Sequence, residues 1–278
     1  YIICWDGGYD ERIKISSKAV EEGIIPKTYK QERREANIIE DPEEKLRKEE
    51  FKKQLLKVED IIKYTRVHSL LVKGEEADDL IGSFVYKYIN DYDEIILVTT
   101  DKDYYQLLLH KVKIYNSGKD EYKDSNFLKK EYNLDSAEQW VDVGAIAGES
   151  GRNSDTIYGV PGISYITASK LIAQYGNLDN LLEEAKIALK EDIEKFGNAK
   201  ELYKAVKSKE YKLKHYVKEM YVLAHEDIIE IAKKLKQIRV WLDLQIPEQK
   251  PNWMELTNIF NSLNFMLSFS DINLLTID

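Results

Sequence analysis

Two acidic stretches constrain this chain more than any other feature: Glu76-Ala77-Asp78-Asp79 and Asp101-Lys102-Asp103. The first opens a segment with helical periodicity, Ala77 to Asn90. The second closes the short apolar run Ile95 to Val98, which reads as a parallel strand covered on both faces. In a helix Glu76 and Asp79 share a face, and Asp78 lies in the first turn, where the helix dipole favours negative charge. In an extended segment Asp101 and Asp103 point one way and Lys102 the other. With strand end and helix start adjacent, these carboxylates crowd into one cleft. There either some keep a proton or a cation neutralises them. Oxygen-only donors suit a hard divalent ion. Two such ions ~3.5–4 Å apart can activate a water and stabilise the leaving oxygen of a phosphodiester. Either stretch alone is better explained by helix capping and a solvated surface. Both together, at matching ends of a strand and a helix, favour the cleft.

The remaining composition narrows the chemistry. The 278 residues, 43% of them hydrophobic, can build one large domain or two smaller ones. A net charge of -9 argues against a uniformly basic nucleic-acid binder, although not against a local basic face. Cys4 is the single cysteine, so neither an intrachain disulfide nor a thiolate metal site is available. His68, His110, His215 and His225 are scattered, which disfavours zinc and serine-hydrolase constellations. No apolar run reaches transmembrane length and no signal peptide is visible, so the expected setting is cytoplasmic, without a membrane partner.

Along the chain, Tyr1 to Trp5 reads as a strand ending in Asp6-Gly7-Gly8, an acid at a strand's carboxyl end followed by glycines. The stretch before Asp41 has few regularly spaced apolar residues and reads as a long functional loop. It carries the basic cluster Lys27 to Arg34. Lys30, Arg33 and Arg34 are candidates to contact phosphates and Tyr29 to stack on a base, with an ordinary solvated face as the alternative. A helix then starts with Asp41 as N-cap and Pro42 at its first position and runs to about Tyr64. Leu46, Phe51, Leu55, Val58 and Ile62 form its apolar face. Ser69 to Val72, Glu94 to Thr99 and Val112 to Tyr115 alternate with helices, as in a parallel sheet. A capping box at Ser136 opens the helix Ala137 to Ala147. A glycine-broken stretch from Gly148 to Ile163 follows, then the helix Ser164 to Tyr175. That turn lets backbone N–H groups approach a phosphate. Beyond Leu178 the chain is helical and lysine-rich, best read as a solvated surface. Trp241 to Ile246 is a candidate strand, and Trp253 to Phe265 a last helix packed in the core.

In their order, Asp6, Glu76-Ala77-Asp78-Asp79, Thr100-Asp101-Lys102-Asp103 with Gln106-Leu107, and Ser154-Asp155 before Gly159-Val160-Pro161-Gly162-Ile163 resemble the 5′→3′ exonuclease and flap endonuclease family of bacteria and tailed phages. The match runs from Asp6 to about Gly176. The resemblance implies an α/β fold: a PIN-like parallel-sheet core, a helical arch over about residues 20–60, and a helix-three-turn-helix DNA-binding module over 155–175. The nuclease core would span 1–147, and the module with the C-terminal helices 148–278. It implies a metal-dependent, structure-specific 5′ nuclease using two Mg²⁺ or Mn²⁺ ions. The first ion would fall to Asp6, Glu76, Asp78 and Asp79. The second would fall to Asp101, Asp103 and Asp155, with Glu149 in place of the usual aspartate. Tyr29, Lys30 and Arg33 match the catalytic segment of the arch. Arg34, Gly159, Gly162, Ser164 and Lys170 would contact nucleic acid, with K⁺ at the turn. The implied partners are DNA with 5′ flaps or ends and RNA–DNA hybrids, and the implied state is a monomer.

Some residues depart from the family pattern. The interval from Glu149 to Asp155 is longer than usual, Thr156 replaces an asparagine, and Ser164 replaces a turn glycine. Glu149 in place of an aspartate, and the absence of the family's first-strand aspartate from this sequence, keep open a non-catalytic homologue with an impaired metal site, while a PIN-type ribonuclease is disfavoured by the helix-three-turn-helix. The family's first strand would precede Tyr1. An inner strand cannot simply be lost from a parallel sheet, so a preceding segment is expected in the natural protein. The less favoured alternative is that the run from Ile272 to Asp278 fills the slot.

Overall fold

The structure, a computed structural model, describes residues 1–38, 41–149, 154–246, 248–263 and 265. Strand β1 (Ile2–Trp5) leads into helices α1 (Asp10–Glu21), α2 (Gln31–Ile38) and α3 (Pro42–Ile62) and then strand β2 (His68–Leu71), which pairs in parallel with β1. Helix α4 (Ala77–Tyr88) connects to β3 (Ile95–Val98) and a 3₁₀ turn over Lys102–Leu107. Strand β4 (Val112–Asn116) pairs in parallel with β3, and β5 (Glu121–Lys123) runs antiparallel beside β4. Everything after β5 is helical: α5 (Phe127–Tyr132), α6 (Gln139–Ala147), α7 (Tyr165–Tyr175), α8 (Leu178–Ala188), α9 (Lys190–Phe196), α10 (Ala199–Lys207), α11 (Val217–Ala224), α12 (Glu226–Lys236) and α13 (Trp253–Ser262).

Among the described residues the strands form two separate sheets, β1-β2 and β3-β4-β5. This corrects the expectation of one parallel sheet with its strands covered on both sides. In β3 only Leu97 is fully buried. Ile96 and Val98 are 44% and 69% exposed, because no described helix covers that face. The run 272–278, considered as an inner strand, lies outside the described residues, as do positions 150–153 of the glycine-broken stretch.

Other expectations also change. The supposed long loop before Asp41 is mostly α1 and α2. Its buried residues include Arg12 and Ser16 beside Ala19, so the apolar periodicity that announces a helix is interrupted by polar side chains with buried partners. Helix α3 starts at Pro42 as expected, but of its apolar residues only Ile62 is buried; Leu46, Phe51, Leu55 and Val58 are exposed. Trp241 to Ile246 is not a strand. It is an extended segment whose Leu242, Leu244 and Ile246 pack on Leu80 and Phe84 of α4. The last helix, α13, ends at Ser262, short of Phe265; within it only Leu256 is fully buried, and Trp253 and, beyond the helix, Phe265 are exposed.

Helix α6 is the centre of the packing, buried from Gln139 to Ile146 and lying against α7 and α12. Gln139 accepts a hydrogen bond from the Ser136 N–H at 3.1 Å, the backward half of a capping box. Trp140 gathers Tyr105, Tyr132 and Tyr165, with ring centroids 5.2, 4.8 and 5.6 Å away. One buried cluster extends from Tyr29 and Val85 through α6 to Met220, Ile229 and Ile238, so apolar packing is continuous across position 148. The lysine-rich helices carry exposed ion pairs such as Lys186–Glu226 and Lys200–Asp227, in keeping with a solvated surface.

Candidate active site

A cleft of about 440 Å³ opens where β1, β3, α4 and the turn before α7 meet. Asp6 reaches it because the residue after it has no side chain. A Cβ on Gly7 would sit 1.9 Å from the Val72 carbonyl oxygen, and the backbone bonds Gly7 N–H to Glu75 O (2.8 Å) and Gly74 N–H to Gly7 O (2.9 Å) close that approach. Asp6 Oδ1 then accepts the Ala77 N–H at 2.9 Å, capping the free end of α4. Thr99 and Asp101 enter from the end of β3. Asp101 Oδ1 accepts the Asp103 N–H at 2.8 Å and opens the 3₁₀ turn.

Asp155 and Glu149 come from the turn between α6 and α7. That turn is held by a very close crossing of backbones, since a Cβ on Gly148 would lie 2.3 Å from Gly159 N and one on Gly159 would lie 2.4 Å from Gly148 N. Glu149 and Ile157 exchange backbone hydrogen bonds across the crossing. Gly162 has φ +84°, and Ser164 caps α7 by accepting the Thr167 N–H.

Tyr29 and Lys30 arrive from the loop before α2. Lys30 adopts the left-handed conformation (φ 54°), and its N–H donates to Asp155 O at 2.8 Å. Its ammonium lies 2.6 Å from Glu76 Oε1 and 3.9 Å from Asp155 Oδ1. The Tyr29 hydroxyl is 3.2 Å from Glu76 Oε1 and 3.0 Å from Asp155 Oδ2. Burial and then the charge of Glu76 push Tyr29 far above the ordinary phenol range, so it stays a neutral donor. Burial also raises Asp78 to about 7 and Asp103 to about 6.

The cleft therefore brings together Asp6, Tyr29, Lys30, Arg33, Glu76, Asp78, Asp101, Asp103, Glu149 and Asp155. Arg33 is largely exposed at the rim, 3.9 Å from Asp155. Arg34 is elsewhere engaged, donating to Tyr29 O and Thr28 Oγ1, both at 2.7 Å. Lys170 is exposed on α7, away from the cleft lining. Asp79 does not line the cleft. It is fully buried beneath it, taking both oxygens of its carboxylate into bonds with Arg12 and Arg239.

Three cations escaped the sequence reading, Arg12 and Lys236 lining the cleft and Arg239 on the buried Asp79. Arg12 donates to Asp79, to Glu76 and, through Nε, to Leu235 O at 3.0 Å. Burial disfavours its charge, but Asp78, Glu76 and Asp79 outweigh that and hold it above its ordinary value. Arg239 donates to Asp79 and Glu75. Lys236, only 3% exposed, bonds Asp103 at 2.9 and 3.0 Å and also Glu149. Lys236 had a readable signal: it continues the buried stripe Ile229, Ala232 of α12 at helical spacing, where a lysine is unexpected without a partner. Arg12 and Arg239 had none, since their partners are remote in sequence.

Glu76, Asp78 and Asp79 each bring an oxygen within 4.8 Å of the others, a set of hard donors that suits a divalent ion. Asp79 is committed to two guanidinium groups and Glu76 is paired with Arg12 and Lys30; of the three, Glu76 and Asp78 line the cleft, with Asp6 and Asp101 on its other walls.

Residues 17–133 match the 5′-3′ exonuclease, N-terminal resolvase-like domain. This part of the chain, somewhat less than half of it, is similar to that domain. Among curated proteins, flap endonuclease Xni of Photobacterium profundum is 34% identical over 124 residues, covering 45% of this chain and 46% of the relative. Thermostable DNA polymerase I of Thermus thermophilus is 34% identical over 149 residues, 52% of this chain and 17% of the polymerase. The chain thus spans less than half the length of these relatives. Among solved structures, the bacteriophage T5 5′-exonuclease with bound divalent metal ions superposes with a TM-score of 0.65 at 20% identity, covering 98% of this chain and 80% of that one. The catalytic core of Rad2 with DNA substrate gives 0.52 at 16%, covering 98% and 78%. Residues 17–133 carry the sequence likeness to 5′→3′ exonucleases and flap endonucleases, and the PIN-like fold extends over nearly the whole chain.

Proposed function

We infer that the chain is a metal-dependent, structure-specific 5′ nuclease acting on DNA. One observation carries this reading: acids from β1, α4, β3 and the α6–α7 turn converge on a single cleft, with Lys30 inside it and Arg33 at its rim. The names of the relatives, flap endonuclease and 5′-exonuclease, support it, as does the presence of DNA and metal ions in the T5 flap endonuclease complex.

In this reading Glu76 and Asp78, assisted by Asp6 and Asp101, hold a divalent ion, Mg²⁺ or Mn²⁺. When bound, the ion supplies activation of a water and neutralisation of charge at the phosphodiester. The Lys30 ammonium donates to a phosphoryl oxygen as negative charge develops there. Tyr29 fixes Glu76 and Asp155 through its neutral hydroxyl. Arg33 contacts a phosphate at the entrance, where α2 and α3 would receive a single-stranded 5′ end. The turn Gly159–Ser164, with Lys170, grips duplex phosphates, and a K⁺ held at this turn would add positive charge there. Substrates extend to RNA–DNA hybrids, the protein acts as a monomer, and its setting is the cytoplasm. No helix among the described residues is long and apolar enough to cross a membrane.

The test is cleavage of a labelled 5′-flap duplex with Mg²⁺ and with chelator. Cutting near the junction in Mg²⁺ alone is the expected result. Binding without cleavage in either Mg²⁺ or Mn²⁺ would instead identify a non-catalytic homologue, and cleavage confined to single-stranded RNA would identify a ribonuclease.

A further inference from the structure

We propose that Lys236 is a built-in cation that replaces a divalent ion between Asp103 and Glu149, leaving one divalent-ion site in the cleft. The proposal rests on reading the cleft as a metal site and specifies how many ions it takes. Asp103 and Glu149 belong to the group expected to hold a second ion. The Lys236 ammonium already bridges them, with both Asp103 oxygens within 3.0 Å and Glu149 bonded from the opposite side.

Several features make this a fixed arrangement. The lysine is almost wholly buried, and its carbon stem lies along α6 beside Gly144, where even a Cβ would make ordinary contact at 3.5–3.7 Å with Lys236 Cδ, Cγ and Cε. Its backbone is held as well, since Gln106 donates to Lys236 O at 3.0 Å and accepts the Ile238 N–H at 2.8 Å. A dication placed on Asp103 and Glu149 would face this positive charge at ion-pair distance in a partly desolvated cleft, where repulsion is little screened. Losing the ammonium would leave two facing acids uncompensated, and that is the condition that recruits a cation. Asp78 differs: its ion pair is to Arg12 at 3.4 Å, its side chain keeps 25% of its exposure, and it lines the cleft with Asp6 and Asp101.

The experiment is Mn²⁺ titration of the DNA-free protein, followed by electron paramagnetic resonance and calorimetry. The wild type is expected to bind one Mn²⁺, and Lys236→Met a second, at least ~10-fold more tightly than any second ion in the wild type. Thermal melting checks that the variant is folded. If it is not, Asp103→Asn/Glu149→Gln, with Lys236 intact, decides: the wild-type stoichiometry should be unchanged. Two comparable ions in the wild type, one ion lost in the double variant, or no added ion in a folded Lys236→Met protein would each overturn the proposal. Because the readout is binding, failure of the protein to cut DNA would defeat the nuclease reading and leave this one standing.

Discussion

Arg12 and Asp79 form a two-pronged pair below the cleft, with Nη1 to Oδ2 at 2.7 Å and Nη2 to Oδ1 at 3.1 Å, and neither side chain reaches solvent appreciably. Arg239 closes on the same carboxylate through its backbone N–H at 2.7 Å and its guanidinium at 2.6 Å. Asp79 thus ties α1, α4 and the segment after α12 together. The neighbouring Asp78 faces the cleft instead.

Asp79→Ala should therefore act on stability first. Removing it leaves two guanidinium groups without their shared partner, a loss of about 3–5 kcal/mol by analogy with broken buried ion pairs. Urea denaturation should show a sharply lowered midpoint. A midpoint equal to that of the wild type would mean that Asp79 is not the anchor described.

Asp101→Asn should separate chemistry from folding. Asp101 is exposed, so stability should change by no more than about 0.5 kcal/mol. Flap cleavage in Mg²⁺ should fall ~10²-fold or more, with duplex binding in chelator retained because phosphate contacts lie elsewhere. Unchanged turnover would remove Asp101 from the metal-binding set.

Lys30 combines a chemical group with an unusual backbone. Lys30→Ala should slow the chemical step ~10²-fold if the ammonium stabilises developing charge. Lys30→Gly should lose the same rate while being more stable than the alanine variant by ~1 kcal/mol, because φ 54° suits glycine. Single-turnover rates and melting curves measure the two effects separately. A loss of affinity alone would make Lys30 a docking residue.

Duplex binding in chelator should weaken steeply with salt through counterion release, and Lys170→Ala should reduce the slope by about one unit. An unchanged slope would move the duplex contact away from α7, with the lysine-rich helices after Leu178 as the next place to look.

The metal-free protein should lose stability as pH rises. Asp78 and Asp103 are raised to about 7 and about 6 by burial. Unfolded aspartates titrate near ~4. Between those limits the folded state holds protons that the unfolded state has released. The stabilisation is complete below ~4 and gone once pH passes the folded values. Melting in chelator at about pH 8 should lie roughly 5 °C below that at about pH 5.5, a loss of ~2 kcal/mol in a protein of this size. Asp78→Asn should flatten the dependence, and an equally steep fall in that variant would assign it to other groups.

What the sequence determined by itself is local. The acids at the start of α4 and the end of β3, the Pro42 start of α3, and the Ser164 and Gly176 limits of α7 depend on neighbouring residues, so their spacing suffices to read them. The gathering of the acids at one cleft could also be anticipated, because strand ends and helix starts meet at the same edge in an alternating α/β chain. Only the tertiary structure decided which acids face the cleft and which anchor it. Asp78 and Asp79 are adjacent and chemically identical, yet Asp79 is held on both oxygens by Arg12 and Arg239, more than half the chain apart, while Asp78 reaches only Arg12, at 3.4 Å, and lines the cleft. The same holds for Lys236, one lysine among many until the packing of α12 on α6 buries it between Asp103 and Glu149. Ion pairs across such separations leave no periodicity in the sequence. Their partners are chosen by the packing of helices, and a buried charge then holds the partner that packing supplies.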